Sequence, residues 1–316
     1  MTETANLKAA ALRKIKSSVG IMAIILLITP AFLFPKEISD GVLRGIKLCA
    51  LSVIPSVFPF FIISDAIFFF SDSLGDSMLS KAFSRAFNLP PHAISAFVTG
   101  SICGFPIGVK LASELYLRGE IDKNEAERII GFSNNPSLAF VVSAVGVGML
   151  GSLKIGVLLY FTLIFSALIT GLLFREKRTF FNKTSVIPRQ SFNFVDSVKN
   201  AGFASLTVSS FIIFFSAVSG IIVKLCKNKA LAAVGVMMTE ISGGAIQIIS
   251  SHPFGAQGTL AMLAAGFAFS GFSVHLQARS IATPELSFKK YYIMKLFQAV
   301  IAFFLMLCIS SFFINR

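Results

Sequence analysis

The chain has 316 residues, of which 55% are apolar and only 14% are charged, and its formal net charge is +13. Soluble domains carry about 25% charged residues, so this composition excludes a soluble globular protein. The 28 lysine and arginine residues lie in loops between apolar segments and form no basic domain, which excludes a nucleic-acid-binding protein and is typical of the topology signals of a polytopic membrane protein.

The N-terminal region combines four basic residues with an apolar segment at 19–35. A signal peptide has this arrangement, but the sequence ITPAFLFPKEIS at its end contains no small-x-small cleavage site. We therefore predict an uncleaved first span, with the basic N-terminus in the cytoplasm.

Eight further apolar segments follow along the chain. Several of them reach the roughly 17–25 residues that cross a bilayer as a helix. If all nine segments crossed, the basic cluster REKR at 175–178 would lie opposite the basic N-terminus, whereas short cytoplasmic loops collect lysine and arginine. The eight segments lie near 46–70, 92–117, 136–152, 155–174, 200–224, 229–250, 258–281 and 291–313.

Two of these segments are better explained as hairpins that enter the membrane and leave on the same side. Segment 92–117 contains GFPIG and is predicted to turn at Gly104–Gly108, and segment 229–250 is predicted to turn near Ser242–Gly244. With both hairpins, 18 of the 28 basic residues share the cytoplasmic face and 8 lie opposite. The charge distribution therefore favours two re-entrant hairpins over two further crossings.

After the first span, the chain divides into two units with the same order of a span, a hairpin, a short span and a span. Because each unit crosses three times, the second is inverted relative to the first, which is an architecture of secondary transporters. The predicted fold is an all-α polytopic membrane protein, an inverted repeat of three spans plus one re-entrant hairpin each, preceded by an extra N-terminal span. The predicted parts are the N-terminus and first span (1–40), the first repeat (41–178), a cytoplasmic linker (179–195) and the second repeat (196–316).

Three smaller patterns also carry structural predictions. The segment DKNEAERII at 122–130 is amphipathic and predicts a surface helix between the first hairpin and the short span. Glycines 146, 148 and 151 are expected to serve close helix packing. The four scattered cysteines have neither metal nor redox spacing and are expected to be packing residues.

Polar and helix-breaking residues concentrate at four places in the apolar segments. An ionised side chain at the bilayer centre costs about 2.5–3.5 kcal/mol, so such residues face a cavity or a partner, and broken helices expose amides that attract anions. We therefore predict a substrate site built from these four places. The candidates are Gly104, Phe105, Pro106, Gly108, Lys110 and Glu114 in the first hairpin, Asn134 and Asn135 before the short span, Glu240, Gly243, Gly244 and Gln247 in the second hairpin, and Ser273, His275 and Gln277 in segment 258–281.

Some candidates have simpler interpretations. Lys110 and Glu114 are one helical turn apart, where a cation and an anion neutralise each other. His275 lacks a second metal-ligand residue at helical spacing, which favours a hydrogen-bonded interior residue. Asp65 lies near the cytoplasmic end of its span, where an interfacial position explains it. No cofactor or metal is indicated, and Asp65, Glu114 or Glu240 is available to carry a coupling proton or to bind a sodium ion.

The sequence argues against an intramembrane enzyme. A serine protease of that kind needs a serine–histidine pair, and an aspartyl protease needs two intramembrane aspartates. His275 has no nucleophile partner, and Asp65 is the only aspartate in a predicted span. The alternatives that stay open are a transporter and a membrane component that gates or scaffolds a partner.

Three stretches carry a family resemblance, namely GFPIGVKLASELYLRGEI, FSNNPSLAFVVSAVGVGMLG and GFSVHLQA. The chain resembles, over most of residues 40–310, the sporulation integral-membrane proteins with paired Gate (nucleoside-recognition-like) domains. That family includes the dipicolinic acid transporter of the outer forespore membrane. Its Gate domains are similar to those of concentrative nucleoside transporters, whose hairpins and unwound helices hold the substrate. The resemblance implies a multi-pass protein of the bacterial cell membrane or outer forespore membrane that moves dipicolinate from mother cell toward forespore.

The expected partners are therefore the lipid bilayer and a small anionic substrate. Half-helix N-termini, Lys110 and amide side chains suit the two carboxylates of dipicolinate, and Phe105 or Phe272 suits its pyridine ring. The alternatives are a nucleoside or nucleobase carrier and a non-transporting gate or scaffold. The sequence carries no signal for an oligomeric state.

Overall fold

A computed structural model describes residues 29–69, 77–176 and 192–314 of the chain. Within these ranges the protein is helical and contains no strand. Four of the described helices are long and apolar enough to cross a membrane, and a bent pair of helices is a fifth candidate. The prediction of an all-α multi-pass membrane protein is thus confirmed. Most of the predicted first span, the basic N-terminus and most of the predicted linker at 179–195 lie outside the described residues.

Within the described residues, the first half of the protein contains eight helices longer than one turn and one sharp bend. Segments Pro35–Val53 and Val57–Ala66 meet at 47°, where two prolines interrupt the backbone hydrogen bonding. The helices are α1 (Pro35–Leu48), which continues through a π-helical turn (Cys49–Val53), α2 (Ile54–Phe69), α3 (Met78–Phe87), α4 (Ile94–Cys103), α5 (Ile107–Leu117), α6 (Lys123–Ser133), the π-helical α7 (Ala139–Met149) and α8 (Leu153–Leu173).

Within the described residues 192–314, the second half contains six helices. Its long helices run without interruption, except for one that contains a break. Helices α12 and α13 together form one membrane-length helix, Gly255–Ile281, which is interrupted at Ser270. The six helices are α9 (Phe194–Leu225), α10 (Lys229–Thr239), α11 (Ile241–Ser251), α12 (Gly255–Phe269), α13 (Gly271–Ile281) and α14 (Lys289–Ile314).

Helices α4 and α5 form a helical hairpin, here called hairpin 1. In a continuous helix Gly100 and Gly108 would be about 12 Å apart, yet a Cβ atom built on Gly100 would lie 2.7 Å from the Gly108 Cα atom. The chain reverses at Gly104, whose φ of 89° is open to glycine and strained for other residues. Each arm has 10 or 11 residues and rises about 15–17 Å, which is half the thickness of a hydrocarbon core. Hairpin 1 therefore turns where the sequence predicts and is too short to cross.

Helices α10 and α11 form hairpin 2. Their eleven-residue arms are in contact, since a Cβ atom on Gly244 would lie 2.3 Å from the Met237 Cα atom. The turn lies at Glu240, which ends α10 and caps α11, rather than at the predicted Ser242–Gly244. A carboxylate that accepts the first amides of α11 makes this turn, and the glycines serve the close contact of the arms.

The prediction of a surface helix at 122–130 is wrong, because α6 is buried along most of its length. Two of its charged side chains have hydrogen-bond partners outside the helix. Arg128 donates to the Phe87 carbonyl oxygen at 2.5 Å, and Glu127 accepts a hydrogen bond from the Ser287 amide at 2.8 Å. Buried charges with partners on other helices produce the same alternation in the sequence as a solvated face.

The two halves of the protein repeat one order of elements. In each half a long helix (α2 or α9) precedes a hairpin, a broken pair of helices and an unbroken helix (α8 or α14), although α3 lies between α2 and hairpin 1 and has no described counterpart in the second half. The first broken pair, α6 and α7, covers 123–149 with its break at 134–138, and the second, α12 and α13, covers 255–281. The predicted short span at 136–152 is therefore the second half of a broken pair whose first half is α6.

We expected three glycines, Gly146, Gly148 and Gly151, to allow close helix packing, and the structure shows such packing for one of them. A Cβ atom on Gly146 of α7 would lie 2.4 Å from the Gly156 Cα atom of α8, so the two backbones touch. Gly148 meets only a carbonyl oxygen of its own helix, at 3.4 Å, and Gly151 has open space around it with a φ of 65°. The expectation is wrong for Gly151, which forms the turn between α7 and α8.

Four loops that were predicted to share the cytoplasmic face meet at one end of the molecule, here called the loop end. The Glu176 carboxylate accepts hydrogen bonds from Lys290 at 2.7 Å and from Asn124, and the Glu176 backbone carbonyl accepts one from Asn88 at 3.0 Å. These bonds, chiefly that from Lys290, hold the pKa of Glu176 below its usual value. The ends of α3, α8 and the starts of α6 and α14 therefore lie side by side, as the charge distribution requires.

Candidate substrate-binding site

A central cavity of about 470 Å³ lies between the tips of the two hairpins. Hairpin 1 contributes Gly104 and Phe105, and hairpin 2 contributes Glu240 and Ser242. The first helix break adds Ser137, and α13, directly after the second break, adds Ser273 and Gln277. The bend between α1 and α2 and the middle of α9 close the remaining wall. Elements far apart in the sequence thus converge on one cavity, whose size is typical of a small-molecule site.

The central cavity is mostly apolar, and its polar groups are few. Serine hydroxyls and the Gln277 amide supply neutral donors and acceptors. Among the described residues that line it, Glu240 has the only charged side chain. Such a wall is typical of a site for a small, partly apolar molecule that a few polar contacts orient.

Glu240 lies at the tip of hairpin 2 and is only 2% exposed. Its two carboxylate oxygens accept hydrogen bonds from the Ser242 amide at 2.9 Å and the Gly243 amide at 2.6 Å. The positive end of the α11 dipole stabilises the carboxylate at this position. In the part of the chain that the structure describes, no lysine or arginine is paired with it. Glu240 is therefore a buried carboxyl group that caps the start of α11 and faces the cavity.

The second helix break directs two side chains into the cavity. Ser270, between α12 and α13, has a φ of 85°, a conformation that costs a residue with a side chain about 1–3 kcal/mol and that clusters at functional sites. No side chain caps the start of α13. One turn further, Gln277 donates to the Ser273 hydroxyl at 3.0 Å, which fixes both groups on the cavity face.

Asn134, Asn135 and His275 are buried but are directed toward α14. The Tyr291 hydroxyl accepts a hydrogen bond from the Asn134 side chain at 3.0 Å and lies 3.0 Å from His275 Nδ1. The Asn135 amide oxygen accepts from Gln298 at 2.9 Å. These residues brace the first break behind the cavity, and for His275 the interpretation as a hydrogen-bonded interior residue is confirmed.

Sequence reasoning missed the polar face of α14 that completes this network. Lys295 is fully buried and donates to the Asn134 carbonyl oxygen and, at 2.9 Å, to Gln298 Oε1. The signal is present in YYIMKLFQ, because Tyr291, Lys295 and Gln298 are four and three residues apart and share one helical face. We refer to Asn134, Asn135, Tyr291, Lys295 and Gln298 as the brace.

Lys110 and Glu114 do not line the central cavity. Both lie in a separate pocket of about 590 Å³ at the loop end, here called the loop-end pocket, because α5 leads away from the hairpin tip. Lys110 donates to Asp65 of α2, whereas the distance from its Nζ atom to Glu114 Oε1 is 3.9 Å. The expected ion pair between Lys110 and Glu114 is thus present but long, and Asp65 is the closer partner of Lys110.

The other candidates have packing roles or line a third pocket. Gly243 and Gln247 line a pocket of about 610 Å³ on the side opposite the loop end, here called the far pocket, which Glu240 also touches. Gly108 packs against the Ser133 carbonyl oxygen, which would be 2.4 Å from a Cβ atom. Pro106, next to Phe105, stands at the start of α5. Gly244 lies between the arms of hairpin 2.

Comparison with known proteins finds a distant similarity to a sporulation membrane protein. No family model and no solved structure matches it. It is similar to the sporulation integral membrane protein YlbJ of Bacillus subtilis (strain 168), with 26% identity over 329 aligned positions that cover 88% of this chain and 80% of that protein. The chain is a distant homologue of a sporulation integral membrane protein.

The Lys110–Asp65 contact predicts a compensating double mutant. We expect Lys110→Met and Asp65→Asn each to lower the unfolding temperature, since each leaves a mostly buried charge unpaired at a cost of about 1–3 kcal/mol. The double variant Lys110→Met/Asp65→Asn should recover most of this loss, whereas Lys110→Met/Glu114→Gln should recover little. Thermal unfolding of the purified variants in detergent measures both. Equal recovery in the two double variants would contradict the assignment of Asp65 as the partner.

Proposed function

We propose that the protein is a secondary transporter that carries a small carboxylate anion, dipicolinate, across the outer forespore membrane from mother cell toward forespore. The observation that carries this proposal is the central cavity, which is walled by two hairpin tips and two helix breaks. Secondary transporters hold their substrates between such broken elements near the membrane midplane. The similarity to a sporulation integral membrane protein supports the cellular setting, and the three stretches with family resemblance support the substrate.

The repeated order of elements supports an inverted repeat in the membrane. We propose that hairpin 1 enters from the cytoplasmic loop end and hairpin 2 from the opposite side, with the N-terminus in the cytoplasm. The loop-end pocket and the far pocket are then the two vestibules. On α2 and α9, the residues that line the central cavity lie one helical turn from those that line the loop-end pocket. A small movement of these helices would therefore connect the central cavity with the loop-end pocket.

The cavity offers a specific binding mode for a planar dicarboxylate. Phe105 provides an aromatic surface for the ring. The starts of α5 and α13 carry no side-chain cap, so their positive ends are available to carboxylates. Glu240 opposes a bound anion unless it is neutral, and we therefore propose Glu240 as the carrier of a coupling proton.

A nucleoside or nucleobase is the second candidate substrate. The observation in its favour is the composition of the cavity wall, where the Glu240 carboxylate and the Gln277 carbonyl oxygen accept hydrogen bonds. Ribose hydroxyls and base amines are donors that suit these acceptors.

Uptake into proteoliposomes separates these functions. We expect purified protein to take up labelled dipicolinate with saturation, and an excess of unlabelled dipicolinate, but not of uridine, to compete. Protein-free liposomes are the control. Uptake of uridine without dipicolinate would favour the second candidate. Uptake of neither by a monodisperse, folded protein would overturn transport and favour a gate or scaffold.

A further inference from the structure

Lys295 is a buried lysine whose partners are neutral oxygen atoms. It lies within α14 with no exposed surface, and its ammonium group donates to the Asn134 backbone carbonyl and to Gln298 Oε1. Among the described acidic side chains, none forms an ion pair with it. A buried charge requires strong compensation, and here dipolar oxygens rather than a carboxylate provide it.

These oxygens belong to the broken end of a helix. Asn134 terminates α6, so its carbonyl lies at the negative end of the α6 dipole. Gln298 also donates to the side chain of Asn135, the next residue within the same break, at 2.9 Å. In secondary transporters the carbonyl ends of broken helices and unwound backbone coordinate sodium ions. The brace therefore has the chemistry of a small-cation site, and the site holds the ammonium group of Lys295.

We infer that Lys295 is a tethered cation that occupies the position of a coupling sodium ion, so that transport by this protein is independent of sodium. An ammonium group and a sodium ion compete for the same oxygens, and both cannot bind them at once. The inference rests on the proposed transport function and narrows its coupling ion. It also assigns Lys295 as a positioning residue, which holds the first break in the shape that forms the cavity wall.

The wild-type protein provides the first test. We expect the same unfolding temperature in sodium chloride and in N-methyl-D-glucamine chloride of equal ionic strength, and the same dipicolinate uptake with or without a sodium gradient. Unfolding reports on the cation site even if the protein transports nothing, so failure of this inference and failure of the proposed function are distinguishable. A rise in unfolding temperature or uptake with sodium would overturn the inference.

Removal of the tethered cation provides the second test. Lys295→Ala should lower the unfolding temperature, and propylammonium, which replaces the deleted part of the side chain, should raise it by at least about 3 °C. Sodium should raise it less, and N-methyl-D-glucamine should have no effect. The matched control is Lys289→Ala, the same change at an exposed position of the same helix. The unfolding temperature of this variant should be the same in all three cations.

A neutral variant distinguishes charge from hydrogen bonding. Lys295→Gln keeps a donor near the Asn134 carbonyl but removes the charge, and we expect uptake to fall at least ten-fold while the protein folds. Wild-type uptake by Lys295→Gln, or a Lys295→Ala variant that responds to propylammonium and sodium no more than Lys289→Ala, would overturn the inference. If neither variant folds, the comparison of salts on the wild-type protein decides.

Discussion

Alanine at Gly104 or Gly244 is expected to lower dipicolinate uptake at least about ten-fold, which corresponds to about 1.4 kcal/mol. A Cβ atom at Gly104 would lie 2.6 Å from the Ser137 Cβ atom, and its φ of 89° adds backbone strain. At Gly244 the Cβ atom would lie 2.3 Å from the Met237 Cα atom. Strain and overpacking each cost about 1–3 kcal/mol. At Gly104 the cost falls on the tip that lines the cavity, and at Gly244 it falls on the contact between the arms that positions the other tip.

The matched control for this prediction is Gly202→Ala. Gly202 lies within α9 and has no neighbouring atom within 4 Å of an added Cβ atom. Alanine favours the helix over glycine by about 1 kcal/mol, so the control should keep wild-type uptake and unfold at the same or a slightly higher temperature. Uptake is compared at equal amounts of reconstituted protein. Wild-type uptake by Gly104→Ala, or equal losses in all three variants, would contradict the role of the tips.

Replacing Glu240 with alanine should also abolish uptake. A variant of a second capping residue separates the loss of the helix cap from the loss of the side chain in the cavity. Glu240 caps α11 and lines the cavity, whereas Asn228 caps α10, accepting from the Ala230 and Leu231 amides, and does not line the cavity. Loss of a cap costs about 0.5–2 kcal/mol. Glu240→Ala and Asn228→Ala should therefore lower the unfolding temperature by similar amounts.

The two variants should differ in function. Asn228→Ala should retain most of its uptake, while Glu240→Ala should lose at least about 90% of it, because the buried ionisable group at the hairpin tip is gone. Glu240→Gln keeps one acceptor for the α11 amides and should fold better than Glu240→Ala without regaining concentrative uptake. Equal uptake by Glu240→Ala and Asn228→Ala would reduce Glu240 to a structural cap.

The two hairpins were predictable because their signals are local, although the turn of hairpin 2 lies at Glu240 and the two broken pairs were predicted as spans. Glycine and proline within apolar runs mark positions where a helix stops, and the distribution of lysine and arginine fixes which segments turn back. The sequence also pointed to Gly104, Phe105, Glu240, Ser273 and Gln277, which line the central cavity. Each of them stands at, or within two turns of, a backbone break, where polar groups in a membrane need partners.

Contacts between distant helices could not be predicted in the same way. Lys110 pairs with Asp65 across 45 positions of sequence, although Glu114 is its neighbour along the helix. Gly156, on an unbroken apolar helix, looks like a harmless position, yet a Cβ atom there would lie 2.8 Å from the Val142 carbonyl oxygen. Such outcomes depend on which helix faces belong together, and apolar segments with weak periodicity carry little of that information.

The buried helix α6 has a consequence for how the protein is made. Its charged side chains would each cost about 2.5–3.5 kcal/mol at the centre of a helix that enters the bilayer alone, so the translocon will not release α6 and α7 into lipid as an autonomous segment. Glu127 and Asn134 find partners on or beside α14, which is synthesised after them. We therefore expect the first half of the protein to stay incompletely inserted until α14 has been synthesised. A chain truncated before α14 should be degraded as an assembly intermediate.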